Sequence, residues 1–345
     1  MGGHGDRESE DGRYRPDEFL HDIFITSDDL IRGKTFIEHF LLTRRDLSDE
    51  EVGLARSWEG GAVVQVFDNL GVDGATLHLK GVADELEYDA EVTMGAEAAE
   101  SFAGCPYLFA RLLPVGGLWV LSGTQLRFEE SDAQAALRWA ADWATRFPST
   151  VFRNPEFLAK GWDKQKEDSA EFTAYFGSDT VVFPVGEAAD RIREFWLHRH
   201  GAALGEKFLR DSGFDLSAHD LTGVETVGLM YDELDGLRLL YDYGRLLDVF
   251  AEPRLVRRHE GRRVVESYLK DDETGPVPLR RAAERNPDHA DIVFAHILKR
   301  KDFSWARDGE KLLERHMPES FRTPPLPRQL PLPRRLAEAF SSSQE

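Results

Sequence analysis

Between Gly60 and Gly123 the sequence breaks into five short runs rich in β-branched and aromatic residues: AVVQVF, ATLHLKGV, ELEYDAEVTM, YLFARLLPV and LWVLSG. They are divided by NLGVDG, by residues 95–104 and by Gly116-Gly117, all of which are turn-forming stretches. Runs of this length bounded by glycine are too short for helices. In ELEYDAEV the alternation has a period of two, with Leu86, Tyr88, Ala90 and Val92 on one side and Glu85, Glu87, Asp89 and Glu91 on the other. One side meets a core and the other is a row of carboxylates. Five strands in about 63 residues predict a small meandering β-barrel or a bent antiparallel sheet.

The flanks have a different period. From residue 28 to 58 apolar side chains recur at helical spacing, and Ser48 with Glu51 forms a capping box. Residues 131–147 read as a helix capped by Ser131 and closed by Pro148. Two helices follow in FRNPEFLAKGW and EDSAEFTAYFG, the second ended by Gly177, then a strand in TVVFPV and a helix in GEAADRIREFWLHRHG. VETVGLMYDEL reads as a strand, and RLVRRHEGRRVV as a hairpin near 254–266 that turns at Glu260-Gly261, with helix the alternative for its second arm. Beyond Tyr268 the pattern is helical, with Asn286-Pro287 a strong start signal. The expected class is α+β: a small barrel or bent sheet followed by a mainly helical region. The expected organisation is an acidic flexible tail (1–17), a helical lead-in with β domain and closing helix (18–148), a mainly helical α+β domain (149–320) and a Pro-rich tail (321–345).

Charge is unevenly spread. The chain carries 43 Lys and Arg against 63 Asp and Glu, a formal charge of −20. Residues 1–150 hold 13 basic and 28 acidic side chains, residues 151–250 hold 11 and 19, and residues 251–345 hold 19 and 16. Binding to nucleic acid is driven by Lys and Arg replacing counterions, so such binding is excluded from the acidic end and left open only for the last hundred residues. Cys105 is the single cysteine, which excludes an internal disulfide and any cysteine-paired zinc site. No stretch reaches the roughly 18 uncharged apolar residues of a membrane helix, and the first residues lack the apolar run of a signal peptide. A soluble cytoplasmic protein with no membrane partner is expected.

Candidate sites are few. His198 and His200, two residues apart, would hold one metal ion on a strand but are splayed by about 200° on a helix, where they serve better as cations at the carbonyl end. His289 and His296 share a helical face with Ile292. Adjacent carboxylates such as Asp84-Glu85 read as solvated surface, and Cys105, between glycine and proline with no nearby base, reads as a buried filler. Arg257, Arg258, Arg262 and Arg263, with Arg254 beside them, are candidates for phosphate or nucleic-acid binding from the tip of the expected hairpin. No nucleophile elbow or phosphate loop is present, so no catalytic or cofactor-binding residue is assigned and the cofactor is left unknown.

Four runs, PYLFARLLPVGGLWVLSG (106–123), VFRNPEFL (151–158), FGSDTVVFP (176–184) and KDFSWARDGEKLLERH (301–316), together resemble a poorly characterised bacterial family. Some of its members carry the zinc motif found at the end of the SecA translocase. The resemblance implies a cytoplasmic protein with a small β domain followed by helices, and it transfers no catalytic residue. One cysteine cannot build the zinc motif, so that property is absent here. The expectation is a non-catalytic binding or adaptor protein with a protein partner. The alternatives are a metal-assisted hydrolase using His198 and His200, and nucleic-acid binding through the arginine cluster.

Overall fold

A computed structural model describes residues 35–322 and 324–337; the expected tail at 1–17 lies outside them. The chain divides into two units, one of residues 1–158 with 330–345 and one of residues 159–329. The boundary falls ten residues after the expected 148, within a helix, because FRNPEFLAKGW and EDSAEFTAYFG form one helix and not two.

In the first unit helices α1 (Phe36–Thr43) and α2 (Asp49–Trp58) lead in, α2 through the expected Ser48–Glu51 capping box. Strands β1 (Val63–Asp73), β2 (Thr76–Gly81), β3 (Glu87–Glu91), β4 (Tyr107–Val115) and β5 (Leu118–Phe128) then close a barrel in the order β1-β2-β3-β5-β4. The expected barrel is present, with one correction: β3 and β5 run parallel, joined at Ala90–Trp119 and Glu91–Val120. Because parallel neighbours need a crossover, the chain is not a simple meander. It crosses through helix α3 (Ala96–Glu100) and β4 before β5 closes the ring, an OB-type connectivity that carries no function by itself.

The alternation in β3 places Tyr88 and Ala90 inside and Glu87, Asp89 and Glu91 outside. By contrast, Tyr107 to Leu113 of β4 are buried without a break. Leu108, Ala110 and Leu112 fill the barrel, while Tyr107 and Phe109 pack outward with Ala136, Ala140 and Trp143 of helix α4 (Ala133–Arg146). A strand covered on both faces has no reason to alternate. Helix α4 is preceded by a 3₁₀ turn, so its cap position falls to Asp132 and not to Ser131. Asp84 corrects another expectation: it is fully buried and accepts hydrogen bonds from Gln65 Nε2 (2.8 Å), the Tyr88 hydroxyl (2.5 Å) and the Leu86 N–H (3.1 Å). Burial pushes its carboxyl up against the pull of these donors. The Pro-rich end also packs: Leu336 is buried in the cluster with Val66, Phe109 and Trp143, and Arg335 pairs with Asp68 at 3.0 Å.

The second unit contains most of helix α6 (Pro155–Phe176), which follows the short α5 (Pro148–Val151), and then β6 (Thr180–Pro184), α7 (Val185–His200) and α8 (Ala202–Asp211). Strands β7 (Thr226–Asp232) and β8 (Gly236–Tyr241) join β6 in an antiparallel sheet of order β6-β7-β8. Helices α9 (Tyr243–Ala251), α10 (His259–Lys270), α11 (Val277–Glu284), α12 (Pro287–Leu298), α13 (Trp305–His316) and α14 (Glu319–Arg322) complete it. Asp242, left-handed at φ 53°, turns β8 sharply into α9. The expected hairpin at 254–266 is not formed. Residues Pro253–Arg257 make a 3₁₀ turn and His259–Lys270 a helix, whose Val264, Val265, Tyr268 and Leu269 are buried against α9 and α11. Helical spacing of those four side chains outweighs the apparent Glu260-Gly261 turn. A Cβ on Gly261 would lie 2.3 Å from the Leu255 carbonyl oxygen, so this glycine serves close packing inside a helix.

Candidate functional site

A concavity of the second unit, about 1060 Å³, is built from elements far apart in sequence. Helix α7 contributes Trp196, Arg199 and His200 from its last turns, and α8 contributes Phe208. The connection to the sheet adds Ser212, Phe214 and His219; β7 and β8 add Tyr231, Arg238 and Tyr241; and α10 adds Tyr268. Aromatic rings make much of the wall. Trp196 and His200 stack nearly parallel (5.5 Å between centroids, 7°), with Phe208 4.1 Å from the Trp196 ring. The volume slightly exceeds the usual range of small-molecule sites.

One side of this wall is an ionic network. Asp168 and Arg199 have almost fully buried side chains and form an ion pair; Lys164 joins Asp168 at 3.1 Å and Glu171 joins Arg199 at 3.2 Å. Gln329 also donates to Asp168, and Gln165, fully buried, accepts from the Arg328 N–H at 2.8 Å and donates to the Glu233 carbonyl at 2.7 Å. Buried charges must be compensated in this way or they unfold the site. The network therefore positions the wall.

Arg238 is different. Its Nη1 donates to the Glu273 carbonyl at 3.0 Å, and its Nη2 lies 3.8 Å from Asp235, beyond hydrogen-bond range. Its Nε is buried with no protein partner, as are Trp196 Nε1, His200 Nε2 and Ser212 Oγ on the same wall. Burial, and then the nearby Arg328, pulls its guanidinium pKa down, against Asp235, Asp271 and Asp232, which pull it up. Such a group favours an added anion. At the rim, the Tyr241 hydroxyl and His219 Nδ1 are 2.6 Å apart, and His219 Nε2 is 2.9 Å from the Gly213 carbonyl. A carbonyl only accepts, so Nε2 carries the proton and Nδ1 accepts from the phenol. Burial holds the Tyr241 phenol up, which makes it a neutral donor and not an activated phenolate.

Of the residues singled out in the sequence, His200 lines this cavity and His198 does not. The helix runs through His200 and is stopped only at Gly201, φ 75°, so the two imidazoles diverge: His198 lies over Tyr175 (4.9 Å) and His200 over Trp196. The helix therefore does not bring the two rings together, and among the described residues no three His, Cys, Asp or Glu side chains form a metal-binding group. Burial, and then Arg199, pulls the His200 pKa down. The arginine cluster is also divided. Arg257 and Arg262 face a second concavity, whereas Arg258 and Arg263 are exposed outside it. Cys105 is buried, its thiol directed at the Tyr107 carbonyl (2.9 Å) and its pKa raised by burial. Arg238 and His219 carry no local signal in the sequence; only the amphipathic wall residues Trp196 and Tyr231 could have been sought by period.

No protein-family model matches the chain, and no curated protein or solved structure matches it. Among the described residues no helix is long and apolar enough to cross a membrane.

Proposed function

We propose that this is a non-catalytic binding protein of the cytoplasm, and that residues 159–329 form its receptor for an organic anion with a flat apolar body. The observation that carries the reading is Arg238: a mostly buried guanidinium with an unpartnered Nε, set in an aromatic-walled cavity of about 1060 Å³. The rings supply apolar contact for a planar body, and Arg238 with Arg328 supplies the charge that a carboxylate needs. The single cysteine, buried and unpaired, supports a reducing compartment.

Titration calorimetry with indole-3-acetate and 4-hydroxyphenylacetate, each beside its neutral amide, tests this. A charge-assisted contact is worth about 1.5–3 kcal/mol, so the acid should bind roughly tenfold or more tightly than the amide. Arg238→Met should abolish that preference, and Trp196→Ala should weaken acid and amide alike. Absence of binding by every probe at millimolar concentration, or a preference that survives Arg238→Met, refutes the reading.

A further inference from the structure

The second concavity of residues 159–329, about 820 Å³, has a lining that carries only one sign of charge. Arg254 and Arg257 come from the 3₁₀ turn and Arg262 from α10. His289 and His296 come from one face of α12, and Lys299 and Lys301 from the segment after it. No Asp or Glu lines the groove. Arg254 and Arg262 are balanced from outside it, by Glu252 (2.9 Å) and Glu266 (2.7 Å). Arg257, Lys299 and Lys301 have no ion pair among the described residues.

Cations at a helix C-terminus have an ordinary explanation, because they offset the carbonyl end of the dipole. That accounts for Lys299 and Lys301 after α12, but not for three arginines arriving from two other elements. Lys299 is also left-handed, at φ 53° and ψ 37°, a position where glycine is the usual residue. A lysine held there against its backbone preference points to use of the ammonium group. His289 is anchored through Nδ1 to the Phe250 carbonyl at 2.8 Å, which fixes its ring at the groove.

We propose that this groove binds a compact cluster of phosphate groups, as in a free polyphosphate chain or a nucleoside triphosphate. A strand of nucleic acid fits less well. The concavity is of small-molecule size, and residues 159–329 as a whole hold 27 basic and 32 acidic side chains, so a long polyanion leaving the groove meets net repulsion. This proposal rests on residues other than those of the aromatic cavity, and either can fail alone.

The test is calorimetric titration of the full chain with inorganic tripolyphosphate, ATP and a dT oligonucleotide at low and moderate salt. Tripolyphosphate should bind, more weakly as salt rises. Arg257→Ala and Lys301→Ala should each lower affinity about tenfold, as loss of a charge-assisted contact does. Arg258→Ala and Arg263→Ala, which remove the same charge outside the groove, should leave it within about twofold. Lys299→Gly should weaken binding while leaving the melting temperature equal or higher, a combination that a purely structural lysine would not give. Tighter binding of ATP than of tripolyphosphate identifies a nucleotide as the source, and equal binding a bare polyphosphate. No binding, equal losses in the groove and control variants, or an oligonucleotide preferred more than tenfold over tripolyphosphate overturns the proposal.

Discussion

Buried polar side chains decide more here than the many exposed ones. Asp84 stands beside Glu85 in the sequence, and nothing local separates them; in the barrel unit the first is enclosed and the second only half-buried with φ 57°. Three donors converge on the Asp84 carboxylate, and its own backbone carbonyl accepts from Asn154 Nδ2 at 2.8 Å. Asp84→Ala would strand the Gln65 amide, the Tyr88 hydroxyl and the Leu86 N–H in a buried site. The expected loss is about 3 kcal/mol, read as a fall in the urea midpoint of the barrel unit, since each unsatisfied buried donor costs about 1–3 kcal/mol and such losses are not fully additive. Glu85→Ala should change it far less. Equal effects would mean that the buried hydrogen-bond network around Asp84 does not set the stability of this turn.

Helices and strands were legible wherever one face alone was buried. The period of β3, the Ser48–Glu51 cap and the Asn286-Pro287 start of α12 are written in neighbouring residues, and all three are found. The reading failed between Arg254 and Glu266, where a glycine beside a charged residue resembled a turn. Gly261 is in fact where α10 passes against the Leu255 carbonyl, and added atoms there meet backbone that cannot rotate aside. Gly261→Ala should therefore destabilise the second unit by about 1–3 kcal/mol, although alanine is the better helix former by about 1 kcal/mol at an open position. Thermal unfolding checks the sign: a stabilised variant would show that the helix and the 3₁₀ turn can move apart freely.

The molecule's charge divides by unit more than by distance along the chain. Residues 159–329 hold 27 basic and 32 acidic side chains, leaving 16 and 31 of the chain's 43 and 63 to the unit that contains the barrel. Residues 330–345 of the Pro-rich end belong to that same unit, where Leu336 is 2% exposed and Arg335 bonds both Asp68 and the Tyr107 hydroxyl (3.1 Å). A chain ending at Gln329 should expose part of the Val66–Phe109–Trp143 cluster. Removing a buried leucine typically costs about 2–5 kcal/mol, so hydrogen exchange should rise in β1 and β4 with little change in β7 and β8. Unchanged protection in β1 and β4 would show that this segment does not support the barrel.

What the residues settle among near neighbours is the class of the protein: an α+β chain with five strands in a barrel, followed by helices whose apolar spacing is written locally. Capping, alternation and helical spacing act over a few positions, and their energies do not depend on the rest of the fold. The binding sites are of another kind. Trp196, Arg238, Tyr268 and Arg328 share one wall although 132 positions separate the first from the last. Arg257 and Arg262 join Lys299 while Arg258 and Arg263, their sequence neighbours, do not. Convergence of this kind is set by how the helices pack on one another and on the sheet, because a side chain's neighbours across an interface depend on crossing angle and register and not on its own identity.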